Sequence, residues 1–273
     1  MNPFKLVLDS IRDVVKAKPW ALKNFWLLPT LYFLFDLLFQ LLSACTPTSS
    51  SVNIEPSIFF LSMLAGLATL LFLPLLYLVN SFFTFNLASL ALNYFDSKQY
   101  AIRPSSIFLT KPISLGFRFF FLGFLTTIIT VGMILVSLLG LLLLIVPGVV
   151  VFLYAIAFST LVSVSFVANS GLGVFQSISR GFSLLNKNFF KCIYYAFAFL
   201  LFMIPLTGVL ILISFLAKVD FYSCSFFRVL WVSLAYSGFA TIYSTILILV
   251  ISFVSAKFYL TLSTPTLENE QQS

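Results

Sequence analysis

Long apolar runs alternate with short polar segments along most of the chain. In the hydrocarbon core of a bilayer, a lipid-exposed loop or an open sheet leaves backbone groups without hydrogen-bond partners, whereas a helix satisfies its own. A helix needs roughly 20 apolar residues to cross this core. The runs therefore predict six transmembrane helices, at residues 25–45, 58–80, 119–139, 149–167, 192–216 and 229–254.

The third and fourth runs belong to one uncharged stretch, residues 119–179. This stretch is too long for one crossing and long enough for two. The break is expected between Gly140 and Gly148, where Pro147 and Gly148 supply a turn. The pattern predicts an all-α polytopic membrane protein whose six helices form three hairpins.

Amphipathic segments precede the predicted helices that lead outward. In the first, a polar stripe of Lys5, Asp9, Arg12 and Lys16 lies about 100° from an apolar one. A similar segment separates the fourth and fifth runs, and residues 104–118 form a weaker copy. The apolar stripes are Phe4, Leu8, Ile11 and Val15 in the first segment and Phe175, Ile178, Phe182 and Leu185 in the second.

The domain organisation follows from these elements. Residues 1–24 are expected to form a cytoplasmic amphipathic helix that ends near Pro19, because proline disfavours helix at the preceding residue. Residues 25–260 form the six-span domain. Residues 261–273 lack an apolar pattern near their end and are expected to be a disordered cytoplasmic tail.

Composition restricts the class of protein. Of the 273 residues, 61% are apolar and 8% are charged, against about 25% charged in soluble domains. Lipid is therefore the expected solvent. There is no histidine, which removes the commonest general base and transition-metal ligand. We expect no enzymatic activity, no cofactor, no metal and no nucleic-acid partner.

The distribution of Lys and Arg predicts the orientation. Thirteen of the fifteen basic residues lie before the first, third and fifth spans or after the sixth, and Lys218 and Arg228 lie on the other side. Because cytoplasmic loops carry the excess of positive charge, both termini are expected in the cytoplasm. The expected location is a bacterial inner membrane.

The basic residues of the amphipathic segments have two interpretations. They bind anionic lipid headgroups while the apolar stripes enter the bilayer, or they serve only to set the topology. The topological role is the simpler interpretation. The candidate headgroup contacts are Lys5, Arg12, Lys16, Arg180 and Lys187.

Asp36 is the one charge well inside an apolar run. An ionised carboxylate there costs roughly 2.5–3.5 kcal/mol on insertion scales, so we expect it to face other helices, to be protonated or to meet a donor. A structural, hydrogen-bonded role is favoured, because no intramembrane base or second acid accompanies it. A role in proton or cation coupling is the alternative.

Hydroxyl side chains recur along one face of the sixth span, at Ser233, Ser237, Thr241 and Thr245. Small residues let helices approach closely and their hydroxyls bond across the contact, so packing is favoured. The alternative is a polar path through the bundle. Pro74 and Pro205 would then break the second and fifth helices, as in transporters.

Cys45 and Cys224 are both expected at the outer face, which is oxidising in a bacterium. Their separation cannot be read from the sequence. A disulfide is compatible with this placement, and two free thiols are expected.

One segment resembles a known family. Residues 140–191 carry a leucine-rich run, a Pro-Gly turn, a span, and an amphipathic helix with a Ser-Arg pair and a Lys-Asn ending. This arrangement resembles the YciC-like bacterial inner-membrane proteins and the membrane domain attached to some glycerophosphoryl diester phosphodiesterases. The resemblance implies a six-helix membrane protein of uncharacterised function. The matching residues are Gly140, Pro147, Gly148, Gly171, Ser179, Arg180, Lys187 and Asn188.

The sequence thus favours a non-enzymatic multi-pass protein that acts in envelope organisation or as a membrane partner of other proteins. A small transporter or channel-like protein for an ion, lipid or small solute is the alternative. In that case Asp36 and the hydroxyl stripe would line its route.

Overall fold

The computed structural model describes residues 2–21, 25–44, 56–96, 113–143, 145–169, 173–219 and 226–270. Every regular element in these residues is helical, which confirms the all-α class. The elements are α1 (Pro3–Ala17), a short 3₁₀ turn (Pro19–Ala21), α2 (Leu27–Ala44), α3 (Pro56–Phe95), α4 (Ile113–Leu143), α5 (Ile145–Ala168), α6 (Val174–Lys187), α7 (Phe189–Val219) and α8 (Phe226–Glu270).

Five stretches of the described residues are long and apolar enough to cross a membrane. A shorter apolar stretch, Leu27–Leu38, lies in α2. The molecule therefore has the helices of a multi-pass membrane protein. The five stretches are Pro74–Phe95, Ser114–Leu141, Ile145–Ala168, Phe189–Val209 and Trp231–Ser263.

Helix α3 differs from the prediction of a span at residues 58–80. It has 40 residues, which at about 1.5 Å per residue is twice the thickness of the hydrocarbon core. The predicted end at Asn80 is too early, because no charge, proline or glycine follows until Asp96. Pro74 in α3 and Pro205 in α7 both lie inside continuous helices, so neither helix is interrupted at the proline that the transport alternative invoked.

Helices α4 and α5 form a tight pair. α4 ends at Leu143 and α5 begins at Ile145, within the predicted window. Pro147 lies in the first turn of α5, where its missing N–H leaves no bond unmade. A Cβ on Gly148 would lie 2.6 Å from the Leu141 nitrogen, and the Ser137 hydroxyl donates to the Gly148 carbonyl at 2.6 Å. Glycine at this position therefore lets the backbones approach.

The chain divides into two compact units, and helices α3, α7 and α8 contribute residues to both. Unit 1 comprises Met1–Phe25, Ser81–Ile204 and Leu247–Ser273, and unit 2 comprises Trp26–Asn80 and Pro205–Ile246.

Aromatic side chains dominate the core of unit 1. Phe85 packs against Phe119 and Phe166, with ring centroids 5.3 and 6.3 Å away. Tyr195 stacks on Phe258 at 3.7 Å with nearly parallel rings. These rings join α3, α4 and α5 to each other and α7 to α8.

Helix α8 continues to Glu270, past the predicted start of a disordered tail at residue 261. Leu262 and Ser263 are buried, because the apolar pattern of the helix continues beyond Leu260. The boundary at 261 is thus too early for the helix. Residues 271–273 lie outside the described part of the chain.

Candidate functional site

Helix α1 presents three different faces. Asn2 caps its start by accepting a hydrogen bond from the Phe4 amide at 3.0 Å, and Lys18 ends it in a left-handed conformation with φ 46°. One face is buried in unit 1. It consists of Pro3, Leu6, Val7, Ser10 and Val14.

The predicted apolar stripe of α1 is a second, separate face. Leu8 is 64% exposed, Val15 57% and Phe4 40%. At about 100° per residue this stripe lies roughly 110° around the helix from the buried face. Protein therefore does not cover these apolar side chains, although packing normally buries side chains of this kind.

The basic stripe forms the third face. Lys5, Arg12 and Lys16 are all exposed, about 100° beyond the apolar stripe. Apolar and cationic stripes side by side on one exposed surface are typical of helices that lie in the headgroup region. The predicted headgroup contacts on α1 therefore lie together.

Helix α1 is attached to unit 1 by charge and by rings. The Asp13 carboxylate and the Lys257 ammonium are 2.7 Å apart, and the same ammonium lies 5.3 Å from the centroid of the Phe95 ring. At the other end of α1, Phe4 meets the edge of Tyr194 at 6.2 Å. These contacts fix which way the exposed stripes of α1 face.

Helix α6 has the same sequence pattern and a different environment. The Gln176 side chain caps its start by accepting from the Gly173 amide at 3.0 Å. Phe182 packs on Phe158 at 4.3 Å, and Leu185 is fully buried. Only the first turn of its predicted apolar stripe is uncovered, where Phe175 is 73% exposed.

The basic residues of α6 are less uniform than those of α1. Arg180 is half-buried and Lys187 is exposed. Gly181 faces α5 so closely that a Cβ there would lie 3.2 Å from the Val162 Cα. Lipid contact by Arg180 and Lys187 stays a prediction.

Unit 2 contains polar side chains where α2 packs against α8. Tyr32 precedes Asp36 by one turn of α2, and its phenol lies close enough to Asp36 and to Tyr236 of α8 for electrostatic interaction. Asp36 is half-buried and its Oδ2 atom is buried. A Cβ on Gly238 would lie 3.9 Å from the Phe33 ring, so α2 packs against this part of α8.

The predicted hydroxyl stripe of α8 is buried, at Ser233, Ser237, Thr241 and Thr245. Thr245 donates to the Thr241 carbonyl at 2.7 Å. The other three hydroxyl oxygens are buried without a hydrogen-bond partner in the part of the chain that the structure describes. The opposite side of α8 carries Phe239 and Ile242, which are 42% and 54% exposed.

The structure describes one of the three cysteines. Cys45 and Cys224, the predicted disulfide candidates, lie outside the described residues. Cys192 is a buried free thiol. Among the described residues no group of three or more His, Cys, Asp or Glu is placed to hold a metal ion.

Sequence reasoning missed the attachment of α1 through Asp13 and Lys257. One signal was present, because Lys257 follows an otherwise uncharged run and a charge in such a place needs a partner. No sequence feature identified Asp13 as that partner rather than Asp9.

No family model, curated protein or solved structure matches this chain.

Proposed function

We propose that the protein is a six-span, non-enzymatic protein of a bacterial inner membrane with both termini in the cytoplasm. Four contacts of unit 1 support the placement of these segments on one side of the membrane, because each joins segments that the charge distribution assigns to the same, cytoplasmic side. They are Asp13–Lys257, Phe95–Phe253, Phe4–Tyr194 and Asn169–Tyr259.

Reporter fusions test the orientation. A fluorescent protein fused after Ser273 is expected to fluoresce, whereas alkaline phosphatase inserted at residue 222, between the fifth and sixth spans, is expected to be active. The reverse pattern would contradict the proposed topology.

The role that the geometry supports best is attachment to anionic lipid of the cytoplasmic leaflet through α1, in envelope organisation or in support of a membrane-protein partner. The observation that carries it is the exposure of Leu8 and Val15 beside the cations of the same helix. Each Lys or Arg near an anionic surface contributes about 1 kcal/mol. Covering an exposed Leu contributes about 2 kcal/mol more.

Quenching by brominated lipid tests this role. A Trp26→Phe, Trp231→Phe protein keeps only Trp20, which follows α1 and is 40% exposed. We expect brominated phosphatidylglycerol to quench Trp20 more than brominated phosphatidylcholine does, because the cations enrich anionic lipid around α1.

Charge variants of the same protein complete the test. The preference for phosphatidylglycerol is expected to disappear when Lys5, Arg12 and Lys16 become Gln. The control is Lys218→Gln, which removes a charge on the predicted opposite side. Equal quenching by the two lipids in the unchanged protein would contradict lipid recognition by α1.

The resemblance to the YciC-like group supports the same class of protein. Gly148 lies where α4 and α5 approach each other, and Arg180 and Lys187 lie on an amphipathic helix that follows a span. The family pattern places its residues in this order.

A second candidate function is transport of an ion or small solute, and the buried polar groups of unit 2 favour it. Cysteines at Ser237 and Thr241, in a protein without its three native cysteines, test water access. Reaction with a membrane-impermeant thiol reagent supports a transport route. Inert thiols support packing.

A further inference from the structure

The hydroxyl stripe of α8 faces the interior of unit 2, next to α2. Two residues of α8 flank Ser237: Gly238, where a Cβ would lie 3.9 Å from the Phe33 ring of α2, and Tyr236, which is near enough to Tyr32 of α2 for an electrostatic interaction. The opposite side of α8 is exposed, as Phe239 and Ile242 show. Ser237 therefore projects from the buried side of α8, between two positions that α2 reaches.

Asp36 lies near this stripe along the helix axes. In the proposed six-span topology α2 and α8 run in opposite directions. Tyr32 and Phe33 lie level with Tyr236 and Gly238, so Asp36, about 5 Å further along α2, comes level with Ser233 and one turn from Ser237. A carboxylate and two buried hydroxyls thus lie within about one helical turn of each other along the α2–α8 contact.

The state of the hydroxyls points to a ligand. Thr245, on the same stripe, donates to the carbonyl of Thr241, which is the usual arrangement for a hydroxyl in a transmembrane helix. The Ser233 and Ser237 oxygens are fully buried and find no partner among the described residues. A buried polar atom without a partner costs about 1–3 kcal/mol, and a bound ion removes that cost.

Charge and chemistry restrict what the ligand is. Carboxylate and hydroxyl oxygens suit hard cations rather than transition metals. A single carboxylate neutralises a single positive charge, whereas a divalent ion would leave an uncompensated charge in an apolar environment. Among the described residues of unit 2, Asp36 is the one acidic side chain.

We propose that Asp36, Ser233 and Ser237 form a binding site for one monovalent alkali cation between α2 and α8. The site rests on the proposed topology and gives the transport candidate a substrate class. The carboxylate supplies the charge. The two hydroxyls, which donate no hydrogen bond within the described part of the chain, direct their oxygens at the ion.

Retention of radioactive sodium by the full-length purified protein tests the site. We expect saturable binding of one sodium ion per chain, displaced by unlabelled alkali chloride and not by choline chloride. Asp36→Asn is expected to abolish saturable binding. The Ser233→Ala, Ser237→Ala double variant is expected to bind about tenfold more weakly, because each serine loses a contact to a charged group.

The matched control is Thr245→Ala, on the same stripe of α8. Its hydroxyl is already bonded to the backbone, so sodium binding is expected to be unchanged. Gel filtration identifies any variant that fails to fold. Such a variant is set aside, and sodium binding by the folded variants then tests the site. Folded wild-type protein that retains no sodium, a folded Asp36→Asn protein that binds normally, or stronger displacement by calcium than by sodium would each overturn the site.

Two further measurements distinguish failure of the cation site from failure of the proposed transport or topology. They are sodium flux into proteoliposomes and the reporter fusions described above. Binding without flux keeps the site and contradicts transport. Saturable binding lost in Asp36→Asn, together with reversed fusions, keeps an Asp36 site and contradicts the topology. A normal fusion pattern without binding contradicts the site alone.

Discussion

Helices α1 and α6 share one sequence pattern and differ in what covers it. In α1 the predicted apolar stripe is largely uncovered, with Leu8 64% exposed, and a separate face packs on unit 1. In α6 part of the same kind of stripe is covered by protein: Phe182 packs on Phe158 of α5, and Leu185 is fully buried. An amphipathic pattern therefore shows that a face is apolar without showing whether protein or lipid covers it.

The neighbours of each helix account for this difference. Helix α6 follows α5 in the chain and lies against it because Gly181 leaves room for Val162. Helix α1 instead packs on unit 1 through a different face, and Phe4 and Asp13 add contacts towards its two ends. The apolar stripe between these attachments stays available to lipid.

The largest expected effect comes from separating α6 from α5. Gly181→Val would place a side chain against Val162 and is expected to lower the free energy of unfolding by about 3 kcal/mol. Thermal unfolding in detergent measures the change. Gly132→Val is the control, because a Cβ at Gly132 meets nothing within 4 Å. Equal melting temperatures for the two variants would contradict the close α5–α6 contact.

The second largest effect is expected at the covered end of the apolar stripe of α6, compared with its exposed end. Phe182→Ala removes a ring that packs 4.3 Å from Phe158 and is expected to cost about 2 kcal/mol. Phe175→Ala, at a position 73% exposed, is expected to change stability by less than about 0.5 kcal/mol. Both are read from the same detergent unfolding curves. A larger loss for Phe175 than for Phe182 would reverse the assignment of the two faces.

A smaller effect is expected at the attachment of α1. Asp13→Asn is expected to cost about 1 kcal/mol, because the pair with Lys257 is only partly exposed, at 18% and 20%, and removal of one partner leaves the other charge uncompensated. A double-mutant cycle with Lys257→Met measures the coupling. Asp9→Asn, one turn earlier, is the control and should show no coupling to Lys257. Zero coupling for Asp13 would show that the buried face of α1 and the Phe4–Tyr194 ring contact hold the helix without the ion pair.

The smallest effect on stability is expected on the apolar stripe of α1. Leu8→Cys is expected to change unfolding in detergent by less than about 0.5 kcal/mol, since the side chain is exposed. A spin label on this cysteine in bilayers should be relaxed by oxygen more than by a water-soluble nickel chelate. A label at the exposed Lys16 is the control, and it should show the opposite preference. Equal accessibility to both reagents at position 8 would place the stripe in water.

Local pattern was sufficient to predict most helices. The 3.6-residue period predicted α1 and α6. The window from Gly140 to Gly148 contains the point where α4 gives way to α5, but the prediction that Pro147 and Gly148 form the turn was wrong, because both lie inside α5. The end of α3 was predicted too early because Asn80 and Ser81 interrupt the apolar run, whereas a helix ends only where its backbone finds another partner.

The features that local pattern did not predict depend on contacts between residues far apart in the sequence. The Asp13–Lys257 pair joins residues 244 positions apart, and no periodicity links them. Asp36 and the hydroxyl stripe were identified by residue type, but their common location in unit 2 depends on how α2 packs against α8. The distinction between Leu8 and Phe182 likewise depends on neighbours that neither stripe specifies.

The same ion pair has a consequence for biosynthesis. At about 5–20 residues per second, a ribosome makes Lys257 roughly 10–50 s after Asp13. The nascent chain thus inserts several hydrophobic segments before the partner of its first helix exists. In the proposed topology α1 lies on the cytoplasmic leaflet during that interval without its ion pair, and translation of the last helix supplies the partner of Asp13.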